Sequence, residues 1–301
     1  MNNKTDIANT VKSIKNLTIQ GATNVAKEAV LALGRYSSDG KWSYHDLEKS
    51  GMHLALARRT EPLARNAMYW LLNEAKNNSG KSLLPIAQNL VASLTIAKEK
   101  IVENGISLIK NNSTILTHCH SSTVTGILIG AHSEGIKFKV YLTETRPRYQ
   151  GQITARELTS HGISSIMITD SEAVFMISKE DNLDIDLILL GADAIERDGS
   201  ALNKVGSYGI SLSARGAKVP LYVTATILKY APRAIEIEER EGEEIWASKP
   251  DRLKIYNPAF DKIPPENITA FITEYGLIKP QNITLTAKKY SPWIFAKHKI
   301  K

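Results

Sequence analysis

Cysteine is almost absent from this sequence: Cys119 is the single thiol in 301 residues. One cysteine cannot form a disulfide within the chain, which excludes a small secreted fold held together by cross-links. Long hydrophobic runs are also missing, because no stretch approaches the roughly 18 apolar residues that span a bilayer. Residues 1–16 contain no apolar segment of the kind that a secretory signal carries. We therefore expect a cytoplasmic protein with no membrane partner.

Motifs for common cofactors are lacking as well. No Gly-x-Gly-x-x-Gly follows an apolar run, which argues against a dinucleotide site of the Rossmann type. Gly80-Lys81-Ser82 lacks the earlier glycine of a P-loop. Zinc-ligand spacings and the aromatic signature of RNA-binding domains are also missing. We expect no cofactor, no metal and no direct contact with nucleic acid.

What the chain does have is a formal net charge of +7 and a sequence pI of about 9.2. A basic balance favours anionic ligands such as sugar phosphates or nucleotides. The Lys and Arg residues are scattered along the chain, so a well-solvated lysine-rich surface explains the charge equally well. The charge alone therefore leaves both interpretations open.

The periodicity of apolar residues predicts an α/β chain of two domains. Helical spacing over residues 5–33, 44–76 and 85–109 predicts an N-terminal all-helical domain, residues 1–110. Short apolar runs then alternate with helical patterns, which predicts a Rossmann-like parallel-sheet domain, residues 111–301. The predicted strands are 113–118, 138–144, 164–170, 183–193 and 220–225. The predicted helices between them are 122–134, 152–161, 171–180 and 207–217.

Polar side chains follow the carboxyl ends of these predicted strands, where open parallel sheets bind ligands. Cys119 follows the first strand, Arg146 the second and Asp193 the fourth, and Lys204 comes after a glycine-containing loop. Lys229 lies just beyond the fifth strand. A thiol, a carboxyl group and several cations on one edge predict a site that binds an anion and transfers protons.

Cys119 lies between a predicted strand end and a predicted helix start. Ser121, Ser122 and Thr123 are good N-cap residues, and the free N–H groups of a helix N-terminus attract anions. The same partial charge would lower the pKa of a nearby thiol. The alternative is a small buried residue that fills a gap. His118 and His120 point to opposite faces of an extended chain, which argues against a metal site that uses both.

Each remaining candidate also has a purely structural interpretation. Asp193 follows an apolar strand, so desolvation would raise its pKa towards that of a proton donor, or it caps a turn. Arg146 precedes Pro147 and could bind phosphate through two N–H groups or form a surface ion pair. Asn203 and Lys204 could donate hydrogen bonds to a substrate or simply form a turn. Lys229 is a ligand or an ordinary surface lysine.

Four segments resemble the archaeal ribose-1,5-bisphosphate isomerases, which share a superfamily with methylthioribose-1-phosphate isomerases and the regulatory subunits of initiation factor 2B. The likeness extends over residues 10–285. It is strongest in "ILTHCHSSTV", "TETRPRYQGQITARELTSHGI", "GADAIERDGSALNKVGS" and "NPAFDKIPPENITAFITEYGLIKP". The resemblance implies a helical domain followed by a Rossmann-like domain, assembled as a homo-oligomer, dimer or hexamer. The apolar segment 270–278 could serve such an interface.

The resemblance also implies roles for individual residues. Cys119 and Asp193 match the catalytic pair of the isomerases. The implied substrate-binding residues are Gly21, Ala22, Arg58, Arg146, Asn203, Lys204 and Lys229. Gln20 stands where the isomerases carry an arginine, "RRTEPLARNA" differs from their second motif, and Thr226 replaces a glutamate.

These residues favour an aldose–ketose isomerase that acts on ribose 1,5-bisphosphate or a related sugar 1-phosphate. The alternative is a non-catalytic regulatory subunit that binds translation initiation factor 2, which the departures at Gln20 and in "RRTEPLARNA" favour. A third possibility is a sensor that binds a sugar phosphate or nucleotide without turnover.

Overall fold

The computed structural model describes residues 3–178 and 184–296, which form two compact units. Each unit takes segments that are far apart in sequence. The helical unit comprises residues 3–97, 227–236 and 285–296, and the sheet unit comprises 98–178, 184–226 and 237–284.

Residues 3–97 of the helical unit form four complete helices and the beginning of a fifth. These are α1 Asn3–Lys15, α2 Ala22–Tyr36, α3 Tyr44–Ala55, α4 Pro62–Asn77 and α5 Leu84–Ile106. Helical spacing places Val25, Ala29 and Leu33 on one face of α2, and all three are fully buried in the core of this unit. The Ser43 side chain accepts a hydrogen bond from the Asp46 N–H and so caps α3.

The helical stretches predicted over 5–33 and 44–76 each contain a break. Residues 16–21 leave the helix, with positive φ angles of 63° at Leu17 and 81° at Gly21. The second break covers residues 56–61 and ends at Pro62, which suits the first position of a helix because its missing N–H needs no partner there. The apolar period continues across both breaks, so periodicity alone does not reveal them.

The sheet unit is built on seven strands in the order β11-β10-β7-β4-β1-β2-β3, parallel except for the edge pair β10–β11. The five predicted strands are all present. They are β1 Ser113–His118, β2 Phe138–Thr143, β3 Ser165–Ile168, β4 Leu187–Gly191 and β7 Leu221–Thr224. The α/β fold class and the Rossmann-like parallel sheet are therefore confirmed.

The helices predicted between these strands are also present. They are α6 Ser122–Ser133, α7 Gly151–Ser160, α8 Glu172–Ile177 and α9 Ser207–Ala217. Val124 and Leu128 of α6 pack into a buried cluster with Ile115 and Leu189 of the sheet. The last two residues of the predicted helix 171–180 and the first of the predicted strand 183–193 lie outside the described residues.

Segment 270–278, which could serve an interface, forms the last two strands of the sheet, and its role at an interface stays a prediction. It forms β10 Ala270–Thr273 and β11 Gly276–Ile278. The four residues of β10 are buried beside β7. A short, mainly apolar run is typical of a strand that is covered on both faces of a sheet. Leu277 of β11 remains 46% exposed at the edge.

The remaining elements are short. β5 Ala194–Glu196, β6 Ala201–Lys204 and β9 Phe260–Ile263 pair antiparallel within the sheet unit. β8 Tyr230–Ala231 belongs to the helical unit, and α10 spans Ile283–Tyr290. Among the described residues, no helix combines the length and the hydropathy needed to cross a membrane.

Candidate active site

Strand order brings the two predicted catalytic residues to neighbouring strand ends. β1 pairs with β4 in parallel, with His118 opposite Leu190. The chain proceeds from β1 to β2 on one side, whereas β4 leads to β7 on the other, so the order reverses between β1 and β4. Ligands of open α/β sheets bind in the crevice at such a switch point. Cys119 directly follows β1 and Asp193 follows β4 by two residues.

Cys119 adopts a left-handed backbone conformation with a φ of 68°, which is uncommon for a residue with a side chain. Two threonines hold this turn. The Cys119 N–H donates to the Thr145 Oγ1 at 3.0 Å, and the Thr154 hydroxyl donates to the Cys119 carbonyl at 3.1 Å. The residue is half-buried. The two threonines therefore fix the backbone at Cys119, and the catalytic role of its thiol stays a prediction.

The charge environment of the thiol differs from the expectation. Burial raises the pKa of Cys119 to about 11; the Lys204 ammonium and the His120 N–H lower it, and Asp193 raises it. The expected lowering by the helix N-terminus is wrong, because burial outweighs it. The helix begins after the thiol, and the Ser121 Oγ accepts the Val124 N–H at 3.4 Å. Cys119 is therefore a neutral thiol at pH 7.

Asp193 is half-buried in the turn between β4 and β5, and its N–H donates to the Leu202 carbonyl at 2.8 Å. In the part of the chain that the structure describes, no hydrogen bond reaches its carboxyl group, so the turn-capping alternative is not seen. Gly191 keeps this crevice narrow. A Cβ on Gly191 would lie 2.8 Å from the Ser121 Cβ and 3.9 Å from the Asn203 Oδ1.

Lys204 is the cation that lowers the pKa of the Cys119 thiol. It is only 7% exposed at the end of β6, and its Nζ lies 5.1 Å from the centre of the Phe260 ring. No carboxylate of the described residues forms an ion pair with it. Asn203 is also buried, and its Nδ2 donates to the Ser207 Oγ at 2.9 Å. A buried ammonium without a counter-ion favours binding of an anion.

Arg146 lies on the loop after β2, and contacts with two residues already hold its guanidinium. Nη2 donates to the Ile245 carbonyl at 3.2 Å and Nη1 donates to the Tyr149 hydroxyl, while the group stacks on the Tyr149 ring 5.0 Å from its centre. A guanidinium has five N–H donors, so binding of phosphate through the others stays a prediction. The alternative of a surface ion pair is not seen among the described residues.

The two histidines beside the thiol have separate surroundings. The His118 ring is buried and contacts Thr143 and Val205, whereas the His120 Nδ1 lies 3.2 Å from the Thr154 Oγ1. Burial lowers the pKa of both rings. Over residues 3–178 and 184–296, no cluster of three or more His, Cys, Asp or Glu side chains has metal-site geometry.

Asp170, at the end of the third predicted strand, supports the Arg146 loop. Its Oδ1 accepts the Thr145 N–H at 2.8 Å and its Oδ2 accepts the Arg146 N–H at 2.7 Å. Gly151 closes the same loop. A Cβ on Gly151 would lie 1.8 Å from the Thr143 carbonyl oxygen, so only glycine fits there.

We expect Gly151→Ala to destabilise the protein by about 3 kcal/mol or more, because the added methyl group must displace the Thr143 backbone. The change is measured as the free energy of unfolding in urea. Gly216→Ala is the matched control, because a Cβ on this α9 glycine meets nothing within 4 Å. The control should gain up to about 1 kcal/mol from helix propensity. Equal stability of the two variants would contradict the tight approach at Gly151.

Two buried polar atoms at this edge escaped the sequence analysis. The Thr224 Oγ1 at the end of β7 and the Gln150 Oε1 before α7 have no hydrogen-bond partner among the described residues. Thr224 is 1% exposed. Burying an unpaired polar group costs about 1–3 kcal/mol, which makes both atoms candidates for ligand contacts. No sequence signal identifies them, since a threonine that ends a strand is ordinary.

The other predicted ligands belong to the helical unit. Gly21 precedes α2 and Ala22 begins it. The Arg58 Nη2 lies 3.2 Å from the Glu61 Oε1, and Lys229 ends a 3₁₀ turn. Their roles as substrate ligands stay predictions.

Asn66 of α4, which lies in the segment "RRTEPLARNA", supports the segment that carries Lys229. Its Nδ2 donates to the carbonyls of Leu228 and Tyr230, both at 2.8 Å. Asn66 therefore fixes the backbone on both sides of Lys229.

The switch point of this parallel sheet carries a thiol, a carboxyl group and a buried ammonium. This combination defines a class of α/β protein whose site transfers protons on an anionic ligand. The model of the Initiation factor 2 subunit family matches residues 18–280. The match covers most of the 301 residues. The chain belongs to this family.

Relatives and solved structures confirm the resemblance. The ribose 1,5-bisphosphate isomerase of Methanocaldococcus jannaschii is 36% identical over 303 residues, covering 96% of each chain. The putative methylthioribose-1-phosphate isomerase of the same organism is 34% identical and covers 89% of this chain and 84% of its own. The crystal structure of Pyrococcus horikoshii OT3 translation initiation factor eIF-2B has a TM-score of 0.80 at 26% identity, covering 91% of this chain and 97% of that one.

Proposed function

We propose that the protein is a sugar-phosphate isomerase that converts ribose 1,5-bisphosphate, or a closely related sugar 1-phosphate, into the ketose. The observation that carries the proposal is the placement of Cys119 and Asp193 after adjacent strands at the switch point, where Asp193 and Lys204 both act on the thiol. Relatives named ribose 1,5-bisphosphate isomerase and methylthioribose-1-phosphate isomerase, at 36% and 34% identity, support the same reaction class.

The first step is opening of the sugar ring. The oxygen on C1 carries a phosphate and has no proton to lose, so the ring oxygen must instead be protonated. Asp193 donates this proton as the bond between C1 and the ring oxygen breaks. Its half-buried position allows the carboxyl group to reach a bound sugar.

Proton transfer between carbons follows. Cys119, as the thiolate, takes the proton from C2 to give an enediol-like intermediate and then returns it to C1. The Asp193 carboxylate takes the proton from the C2 hydroxyl, so both residues return to their starting states and the protons balance. Because burial raises the thiol pKa to about 11, the cycle begins with transfer of the thiol proton to the Asp193 carboxylate in the liganded site. This transfer gives the thiolate and the carboxylic acid that the two steps use, and Lys204 and the His120 N–H stabilise the thiolate.

Phosphate recognition in the sheet unit is assigned to three side chains. Lys204 supplies a buried positive charge, Asn203 an amide and Arg146 its remaining N–H groups. Gly21, Ala22, Arg58 and Lys229 are further substrate ligands that the resemblance implies. Fixed donors also stabilise negative charge that develops on the sugar oxygens.

The test is to incubate the purified protein with ribose 1,5-bisphosphate deuterated at C2. We expect ribulose 1,5-bisphosphate as the product, with part of the deuterium at C1 by NMR. Absence of the ketose would contradict the isomerase. A ketose that has lost all its deuterium would instead contradict transfer by one shielded thiol. Methylthioribose 1-phosphate serves as the second substrate and decides which sugar is preferred.

The regulatory alternative predicts stable binding to initiation factor 2 without turnover. It is supported by Gln20, where the isomerases carry arginine, and a missing guanidinium weakens phosphate recognition. A pull-down against that factor separates the two functions, because an isomerase has no need of the complex.

We also propose a homo-oligomer, dimer or hexamer, which light scattering of the purified protein tests.

A further inference from the structure

The turn at Cys119 is tied to a chain of buried hydrogen bonds that the proposed mechanism does not use. The Cys119 N–H donates to the Thr145 Oγ1 at 3.0 Å, and this oxygen lies 3.1 Å from the Thr143 Oγ1. The Thr143 Oγ1 lies 2.6 Å from the His118 Nδ1, and the His118 Nε2 lies 3.0 Å from the Val205 carbonyl oxygen. The chain thus runs from the thiol turn to the residue after Lys204.

Chemistry fixes the direction of every hydrogen in this chain. A carbonyl oxygen only accepts, so the His118 Nε2 must carry the proton that points at Val205. In the neutral ring Nδ1 then accepts, and the Thr143 hydroxyl donates to it. The Thr145 hydroxyl has two acceptors within reach, the Thr143 Oγ1 at 3.1 Å and the Thr143 carbonyl oxygen at 3.4 Å, and it donates to the nearer one. The Thr145 oxygen accepts the Cys119 N–H. One tautomer therefore satisfies all four links.

The surroundings of His118 hold the ring in this state. The ring is 1% exposed, and burial lowers its pKa, which keeps it neutral. The charged groups that face it are Asp170, whose Oδ1 lies 3.9 Å from Nδ1, and Lys204, and their effects on the pKa are opposite. Gly206 leaves room for the His118 ring, because a Cβ on Gly206 would lie 3.2 Å from the His118 Cε1 and Nε2.

We propose that neutral His118 is a positioning residue that acts through the Thr143 and Thr145 hydroxyls to hold Cys119 in its left-handed turn, a role that rests on the proposed isomerase function. A non-glycine residue with positive φ costs about 1 kcal/mol or more, so it needs external support. The chain supplies that support. These hydrogen bonds also connect the Cys119 turn to the turn between β6 and α9. They thereby hold Cys119 and Lys204 in fixed positions relative to each other.

Thr143→Val removes the central hydroxyl but keeps the shape of the side chain. We expect kcat for ribose 1,5-bisphosphate to fall about ten-fold with KM changed less than about two-fold, because a misplaced thiol affects proton transfer rather than binding. Thr143→Ser keeps the hydroxyl and should stay within about two-fold of the unaltered protein. Thr114→Val, a buried threonine at the other end of β1, is the control for loss of a hydroxyl.

Two readouts do not depend on turnover. A loosened turn admits water and lowers the thiol pKa, so Thr143→Val should react with iodoacetamide at pH 8 at least about three-fold faster than Thr114→Val. ¹⁵N NMR of the unaltered protein should show His118 as the Nε2–H tautomer from pH 6 to 9. A proton on Nδ1, or identical alkylation of the two variants, would overturn the proposal. If no sugar phosphate is turned over, the proposed function fails while these readouts still decide the role of His118.

Discussion

Replacing Cys119 by serine or Asp193 by asparagine is expected to lower kcat for ribose 1,5-bisphosphate at least about 100-fold, the effect typical of removing a general acid or base. A serine hydroxyl is a far weaker acid than a thiol, so it cannot take the proton from C2. Asparagine keeps the shape of Asp193 but has no proton to give to the ring oxygen. Formation of the ketose is followed by chromatography under substrate saturation.

Asp251→Asn is the matched control, because Asp251 is exposed on the same unit and far along the chain from the crevice. It should keep the turnover of the unaltered protein. Circular dichroism and thermal melting check that Cys119→Ser and Asp193→Asn remain folded. If either folded variant turned the sugar over at the rate of the control, its assigned role would be wrong, although the isomerase activity itself would stand.

The strands were readable from the sequence for a simple physical reason. The strands β1 and β4 at the centre of the sheet are buried on both faces, so each appears as a short apolar run such as 187–191, bounded by polar or glycine residues. The pairing of β1 with β4 could not be read in the same way. It depends on which strands are neighbours, and local periodicity contains no information about strand order. The resemblance supplied the catalytic pair, whereas the structure supplied the switch point.

Charge was harder to predict than position. The expectation for Cys119 considered only the helix N-terminus, which is visible in the sequence as a run of N-cap residues. The larger effect is burial, and it depends on residues from several strands and on Lys204. Long-range contacts such as His118 with Val205 cannot be inferred from spacing, because 87 positions separate the two residues.

Residues with the right chemistry also turned out to serve the fold. Asp170 is the last residue of the predicted strand 164–170, and its carboxylate accepts two backbone N–H groups of the Arg146 loop. Asp261 does the same for the start of α9, where its Oδ2 accepts from Gly206 and Tyr208. Strand ends and helix starts need such acceptors because their N–H groups lack partners. A carboxylate at a strand end is therefore ambiguous until its neighbours are known.

The raised pKa of the thiol leads to a second large effect, on chemical reactivity. Only the thiolate reacts with iodoacetamide, and a pKa of about 11 instead of 9.0 reduces its fraction at pH 7.5 about 100-fold. Alkylation of the folded protein should therefore be about 100-fold slower than that of the urea-unfolded chain. Since Cys119 is the single cysteine, intact-mass spectrometry measures the reaction without ambiguity.

The pH profile of alkylation and two substitutions separate the effect of burial on the Cys119 pKa from the effects of Lys204 and Asp193. The rate should rise about ten-fold per pH unit up to pH 10, because deprotonation is incomplete below about pH 11. Lys204→Met removes the positive charge that favours the thiolate and should slow alkylation further, whereas Asp193→Asn removes a repelling carboxylate and should accelerate it. Lys139→Met, on an exposed position of β2, is the control and should change nothing. A plateau in the rate below pH 9 would mean that burial does not control the thiol, and it would restore the helix N-terminus as the dominant influence on Cys119.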